Sequence, residues 1–173
     1  MPEGLTRPEP AAAVPRGLCT DCGLSRTAHA RACGRACQFI KPDYPTLETA
    51  VHGRPRGDGD ELFFGPYLEM LRAELSPPAP GAQWTGLTTA LAAALLSAGA
   101  VDAVLTVAPA ADDRWRPEPV IVTDPAAMAA VRGMRMGYAP LLALLGPARA
   151  AGHRRIAVIA IPCQTYALRA AAD

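Results

Sequence analysis

Aromatic side chains make up only 5% of this 173-residue chain, and neither charge sign dominates: 17 Lys and Arg stand against 16 Asp and Glu. A nearly neutral chain carries no electrostatic footprint for nucleic acid or for an anionic bilayer. Long apolar runs are missing too. The longest, from Leu87 to Val101, is broken by Thr, Ser and Gly and stopped by Asp102, which is too short and too polar for a membrane span. The opening MPEGLTRPEP holds prolines and acids and does not read as a secretory signal. There is no GxGxxG, Walker A or Ser-His-Asp pattern, which argues against a standard dinucleotide fold, an NTPase and a familiar hydrolase. His29, His52 and His153 share no metal-ligand spacing, so each is expected at the surface. The expectation is a soluble, cytoplasmic protein.

Half of the residues are hydrophobic, and the length suffices for one core. With few rings, that core must come from Leu, Val, Ile and Ala. Residues 1–16 are rich in Pro and Ala without periodicity and read as a disordered tail. Residues 17–62 hold four of the five cysteines, followed from Lys41 by a Pro-, Gly- and charge-rich connection read as irregular. A helix is expected around Phe64 to Leu75, closed by Ser76-Pro77-Pro78. A second follows Gly86 and stops near Gly99. Ala103–Val107 and Pro119–Val122 read as strands, and Thr123-Asp124-Pro125 as a helix start. A further helix is expected between Ala139 and Ala151. RIAVIAI, from Arg155 to Ile161, reads as a buried parallel strand that Pro162-Cys163-Gln164 turns into a last helix. Residues 63–173 are thus expected to form an α/β domain with a partial, mostly parallel sheet and flanking helices, incomplete at its C-terminus.

Five cysteines in a reducing compartment point to metal or redox chemistry rather than disulfides. Cys19, Cys22, Cys33 and Cys37 have the spacing C-x2-C-x10-C-x3-C, which lets each pair bind from one tight turn while the longer span closes the loop. A structural zinc and a [4Fe–4S] cluster both accept four thiolates, and the spacing alone does not separate them. Three loops carry further chemistry. In Gln83-Trp84-Thr85-Gly86-Leu87-Thr88-Thr89 the free N–H groups of a helix start could hold a pyrophosphate, or Thr could simply cap the helix over a packed Trp84. Arg132-Gly133-Met134-Arg135-Met136-Gly137-Tyr138 joins cations, glycines and a ring, as a loop touching phosphate and a flat ring, or a solvated one, would. Cys163 meets a helix N-terminus, which favours a thiolate, unless it is a buried structural residue.

Taken in order, CTDCG, CGRACQFI, VHGRPR, FFGPY, GAQWTGLTTALAAALL, VDAVLTV, DRWRPEPVIVTDP, RGMRMGYAPLLALL and RRIAVIAIPCQTYALR resemble the β subunit of coenzyme F420-reducing hydrogenase and its relatives. Within that family the chain is most similar to the chlorophyll-pathway branch, which holds ferredoxin-dependent divinyl chlorophyllide 8-vinyl reductase and 7-hydroxymethyl chlorophyll a reductase. The resemblance runs over roughly residues 17–170. It implies an oxidoreductase with FAD and [4Fe–4S] clusters, the metal held by Cys19, Cys22, Cys33 and Cys37. It also implies a flavin approached by Gln83, Trp84, Thr85, Gly86, Thr89, Arg132, Gly133, Met136, Tyr138, Pro162, Cys163 and Gln164. Ferredoxin as electron donor and a tetrapyrrole substrate follow from the same likeness, which leaves a homo-oligomer open. Two departures stand out. Relatives often read CGLC where this chain has Ser25, and Cys33 offers a thiol instead, which opens the ligand set to Cys163. Family members are also much longer, so the later cysteines and the rest of the substrate pocket are expected to be missing here. A zinc-stabilised, non-enzymatic α/β module is the competing expectation.

Overall fold

The computed structural model describes residues 2–11, 19–77 and 79–172. Helix boundaries follow local chemistry. Strand β1 is Leu5–Thr6. Helix α1, Tyr44–His52, starts where the Asp43 carboxylate accepts the Thr46 N–H at 3.2 Å with Pro45 in the first turn, and Gly53 ends it at φ 76°. Helix α2, Glu61–Phe64, is a single turn, and α3 spans Leu87–Ser97. Strands β2, Ala103–Pro109, and β3, Pro117–Val122, are followed by a 3₁₀ helix at Pro125–Val131, capped by the Asp124 carboxylate on the Ala126 N–H. A second 3₁₀ helix, Leu141–Leu144, leads into α4, Leu145–Ala150. Strand β4, Ile156–Val158, and helix α5, Pro162–Ala170, complete the order.

The sheet order is β1-β3-β2-β4, and strand alternation decides what covers each face. Val104, Ala108, Val120 and Val122 pack on one side against Ala92 and Leu96 of α3 and Met128 of the 3₁₀ helix. Leu105 and Ile121 point the other way, onto Leu141, Leu144 and Ala148. A third cluster lies beyond that layer: Leu24, Cys33 and Ala36 pack on Leu142 and Ala167. The cysteine segment is therefore docked on the domain. Leu142 donates its N–H to the Cys22 carbonyl at 3.0 Å, and a Cβ on Gly23 would come within 2.5 Å of the Ala143 nitrogen. Only glycine fits that approach.

The α/β class stands, with several corrections. The sheet is mixed: β2 pairs parallel with β4, while β2–β3 and β1–β3 are antiparallel. The link from Pro109 to Pro117 is of hairpin length, and a parallel pair needs a longer crossover. Part of the supposed tail is ordered, because Leu5 and Thr6 add to β3 opposite Val122 and Ile121; residues 12–16 lie outside the described residues. The supposedly irregular connection after Lys41 contains α1. The helix expected over Phe64–Leu75 is only α2, because Gly65 at φ 76° and Pro66 end it, and the apolar residues beyond find nothing to pack on: Leu68 and Leu71 are exposed. Strand β4 lies at the sheet edge and is only partly buried, not fully. No helix among the described residues is long and apolar enough to cross a membrane.

Candidate functional site

A cavity of about 660 Å³ opens where the parallel strands β2 and β4 end, between the start of α3, the 3₁₀ helix Pro125–Val131 and the loop leading to Ala139. Its size falls within the roughly 300–1,000 Å³ of cofactor and ligand pockets, and its place at strand C-termini suits an α/β fold. The wall at α3 is shaped by backbone geometry. Gly86 precedes the helix at φ 67°, where a Cβ would meet that of Ala82 at 2.9 Å, and among the described residues the side-chain acceptor at the first turn is the Thr85 hydroxyl, 3.4 Å from the Leu87 N–H. The helix thus presents its N–H groups and positive dipole end at the cavity. Trp84 holds φ 55°, uncommon for a non-glycine residue, with its ring largely in solvent.

The polar lining is cationic. Arg132 and Arg135 are its charged residues, and no carboxylate is among the described residues that line it. Arg132 donates to the Pro80 carbonyl, and Gln83 accepts the Met134 N–H, so the two loops are tied together. The Arg135 guanidinium is folded back on its own loop, donating to the carbonyls of Met134 at 3.0 Å and Arg132 at 3.2 Å. Its Nε is buried without a hydrogen-bond partner. A buried donor left unsatisfied on a charged group is costly, so this guanidinium gains by turning to an acceptor that enters the cavity. Gln164, nearly fully buried, accepts the Ile161 N–H at 3.2 Å and donates to the Ala139 carbonyl at 2.9 Å. It locks the start of α5 to the loop.

Of the residues singled out from sequence, Gln83, Trp84, Thr85, Gly86, Thr89, Arg132, Gly133 and Gln164 line this cavity. Met136 and Tyr138 lie on the same loop, exposed and outside the lining, and Pro162 is also outside it. Met134 and Arg135 line it too; the sequence marks their loop but not these two residues individually. The signal was present, since the loop carries a second Arg two residues after a glycine, but spacing does not say which loop residue turns inward.

Cys163 faces the other way, into the thiol group. Burial pushes the Cys163 thiol up, while backbone N–H groups at Gln164 and at Cys163 itself and the Thr20 hydroxyl pull it down, and Cys37 adds to the rise. Burial likewise raises Cys22, opposed by a hydrogen bond from the Leu24 backbone and reinforced by Cys33, Cys19 and Cys163. Cys22 thus lies within electrostatic reach of Cys19, Cys33 and Cys163, and Cys163 within reach of Cys37. Cys19 is exposed and accepts the Asp21 N–H at 3.2 Å; Asp21 itself sits at φ 49°, its carboxylate held by Arg26. Thiolates gathered without a positive centre repel, so the donor set suits a cationic metal group. Among the described residues no three His, Cys, Asp or Glu side chains form a set that would hold a single metal ion. The thiol group and the cavity share one wall, because Cys163 and Gln164 are consecutive.

Comparison with known proteins finds several likenesses. The family model described as coenzyme F420 hydrogenase/dehydrogenase, beta subunit N-term, matches residues 70–146. An uncharacterized Nostoc protein is 37% identical over 155 residues, covering 88% of this chain and 39% of its own. The chloroplastic 7-hydroxymethyl chlorophyll a reductase of Oryza sativa is 39% identical, covering 87% and 33%. The coenzyme F420 hydrogenase subunit beta of Methanothermobacter thermautotrophicus is 31% identical, over 52% and 32%. A chain of the xenon-derivatized F420-reducing [NiFe] hydrogenase complex from Methanosarcina barkeri aligns with TM-score 0.48 and 30% identity, over 51% of this chain and 30% of that one. This chain spans about a third to two fifths of the length of the first two relatives.

Proposed function

We propose, on the premise that residues 70–146 belong to the coenzyme F420 hydrogenase/dehydrogenase beta subunit family, that the protein is an iron–sulfur flavoprotein reductase of tetrapyrrole metabolism. The observation that carries the reading is the shared wall: thiols on one side of Cys163-Gln164 and a cationic, carboxylate-free cavity on the other. Ferredoxin is the one-electron donor in this reading. The first substrate assigned is a 3,8-divinyl (proto)chlorophyllide, reduced at its 8-vinyl group. A second reading, 7-hydroxymethyl chlorophyll a reduction, is favoured by the 39% identical rice relative. The compartment proposed is the cytoplasm. An F420-type substrate on the same cofactors is the remaining outcome that the assay below separates.

Cys19, Cys22, Cys33 and Cys37 would hold the [4Fe–4S] cluster, with Cys163 beside them as a further thiol. FAD, when bound, supplies hydride transfer, and the cluster supplies single electrons. The chain's own residues do the rest. The first turn of α3, Thr85 and Thr89 offer donors to a pyrophosphate, and Arg132 and Arg135 neutralise its charge. Gln83 and Gln164 fix the loop that carries those cations. Thr106 and the apolar Val107, Ile159 and Ala160 close the cavity floor and exclude water from the buried end.

The test is an anaerobic assay of the full-length protein with reduced ferredoxin and, separately, a divinyl chlorophyllide, 7-hydroxymethyl chlorophyll a and a deazaflavin. Saturation of the 8-vinyl group or loss of the 7-hydroxyl supports the first or second reading. Turnover of the deazaflavin alone contradicts both.

A further inference from the structure

The surface over the thiol group differs in charge from the rest of the chain. From Cys19 to Lys41 there are four cations, Arg26, Arg31, Arg35 and Lys41, and one carboxylate, Asp21, in a chain whose formal net charge is +1. Arg26 is occupied by Asp21, donating to both carboxylate oxygens. Arg31, Arg35 and Lys41 are exposed and enter no ion pair among the described residues. They sit on a segment of successive tight turns: the Cys33 N–H donates to the Ala30 carbonyl at 3.2 Å, the Arg35 N–H to Ala32 at 2.9 Å and the Lys41 N–H to Cys37 at 2.9 Å. The same turns hold Phe39 and Ile40 in solvent, 53% and 60% exposed. Unpaired cations of one sign close in sequence add self-repulsion and nothing to the fold. A small apolar centre flanked by cations has the anatomy of an interface.

We infer that this face, Arg31, Arg35 and Lys41 around Phe39 and Ile40, is the docking surface for a small acidic electron-carrier protein. The inference rests on the iron–sulfur reading above and adds where the donor sits. Charge complementarity selects the partner's chemistry, and the exposed Cys19 marks where the thiol group reaches the surface. The step is a single-electron exchange. The carrier's reduced centre would give up one electron, a cluster held by Cys19, Cys22, Cys33 and Cys37 would take it up, and no bond would be made or broken.

The experiment uses the full-length protein and a triple variant, Arg31→Glu, Arg35→Glu and Lys41→Glu, with a neutral triple Gln variant in case charge reversal disturbs folding. Reduction is followed by stopped flow with prereduced plant-type [2Fe–2S] ferredoxin at low and high salt. Light reduction by neutral 5-deazariboflavin is the partner-free control. The second-order rate with ferredoxin is expected to fall about tenfold or more at low salt, with loss of its salt dependence, while the control stays unchanged. The Gln variant is expected to fall in between. Equal ferredoxin rates in all three proteins, with iron content preserved, overturn the docking surface and leave the iron–sulfur reading standing. Binding to phosphatidylserine vesicles that the variant loses, with ferredoxin rates unchanged, overturns it in favour of a membrane. An unaltered protein without iron overturns both.

Discussion

The thiol group and the cavity lie on either side of one wall and are held by opposite means. The cavity is a by-product of the sheet: β2 and β4 end beneath it, α3 begins beside it, and Gln164 pins the loop that carries its cations. Every part of that wall is paid for by packing elsewhere. The thiol segment has only two short 3₁₀ helices and a chain of turns, and it touches the domain through Leu24, Cys33 and Ala36. Neighbouring thiols add to the rise that burial imposes on Cys22 in that segment and on Cys163 of α5. One region is shaped by the packing of the sheet, and the other, on the reading proposed above, would depend on a cation to hold its thiolates together.

That contrast can be broken by substitution. The largest expected effect is at Cys22→Ser, which should remove the iron: the loss should exceed the about 10- to 100-fold that an outer-shell partner costs, while flavin stays bound. Metal and flavin analysis of the same sample reads both, and loss of flavin together with iron would show that the wall does not separate the sites. Next is Leu105→Ala in the central strand. It should cost about 2–5 kcal/mol in urea denaturation, against less than about 0.5 kcal/mol for Leu68→Ala, since Leu105 is fully buried and Leu68 fully exposed.

Gly133→Ala sharpens the cavity side. Gly133 sits at φ 90°, where an alanine is strained by about 1–2 kcal/mol, and its Cβ would stand 3.1 Å from the Arg135 Nη1. Flavin affinity is expected to fall roughly tenfold in a fluorescence titration, matching about 1.4 kcal/mol, with iron unchanged. The smallest effect is in acid. The Arg54 guanidinium, with the Gly57 N–H, lowers the Glu61 carboxyl to about 2. A lowered folded value means that its contribution is present above the ordinary carboxylate value near pH 4.3 and is lost as pH falls towards 2. Glu61→Gln should flatten the thermal-stability profile slightly within that window and nowhere else.

How much of this was legible in sequence depended on whether the signal was local. The strands Ala103–Pro109 and Pro117–Val122, helix α3 and the start of α5 all announce themselves through β-branched runs, Gly stops and Pro at a first turn. The pairing of Leu5 with Val122 does not, because an edge strand of two residues has no period to read. The apolar spacing after Phe64 looked helical, but Gly65 and Pro66 interrupt it and no neighbour buries Leu68 or Leu71. Helix α1 was missed although Asp43-Tyr44-Pro45 is a helix start. At the site, the loops were legible as loops. That Arg135 turns into the wall while Met136 and Tyr138 turn out, and that Cys163 joins the thiols while Gln164 joins the cavity, are consequences of tertiary contacts between segments far apart in the chain, such as Gln83 with Met134 and Thr20 with Cys163.

The most direct test is the metal and flavin content of the full-length protein purified without oxygen, read with its visible spectrum. The account expects at least about four irons and one FAD per chain, with a broad iron–sulfur shoulder over the flavin bands. One zinc per chain and a colourless solution would contradict it.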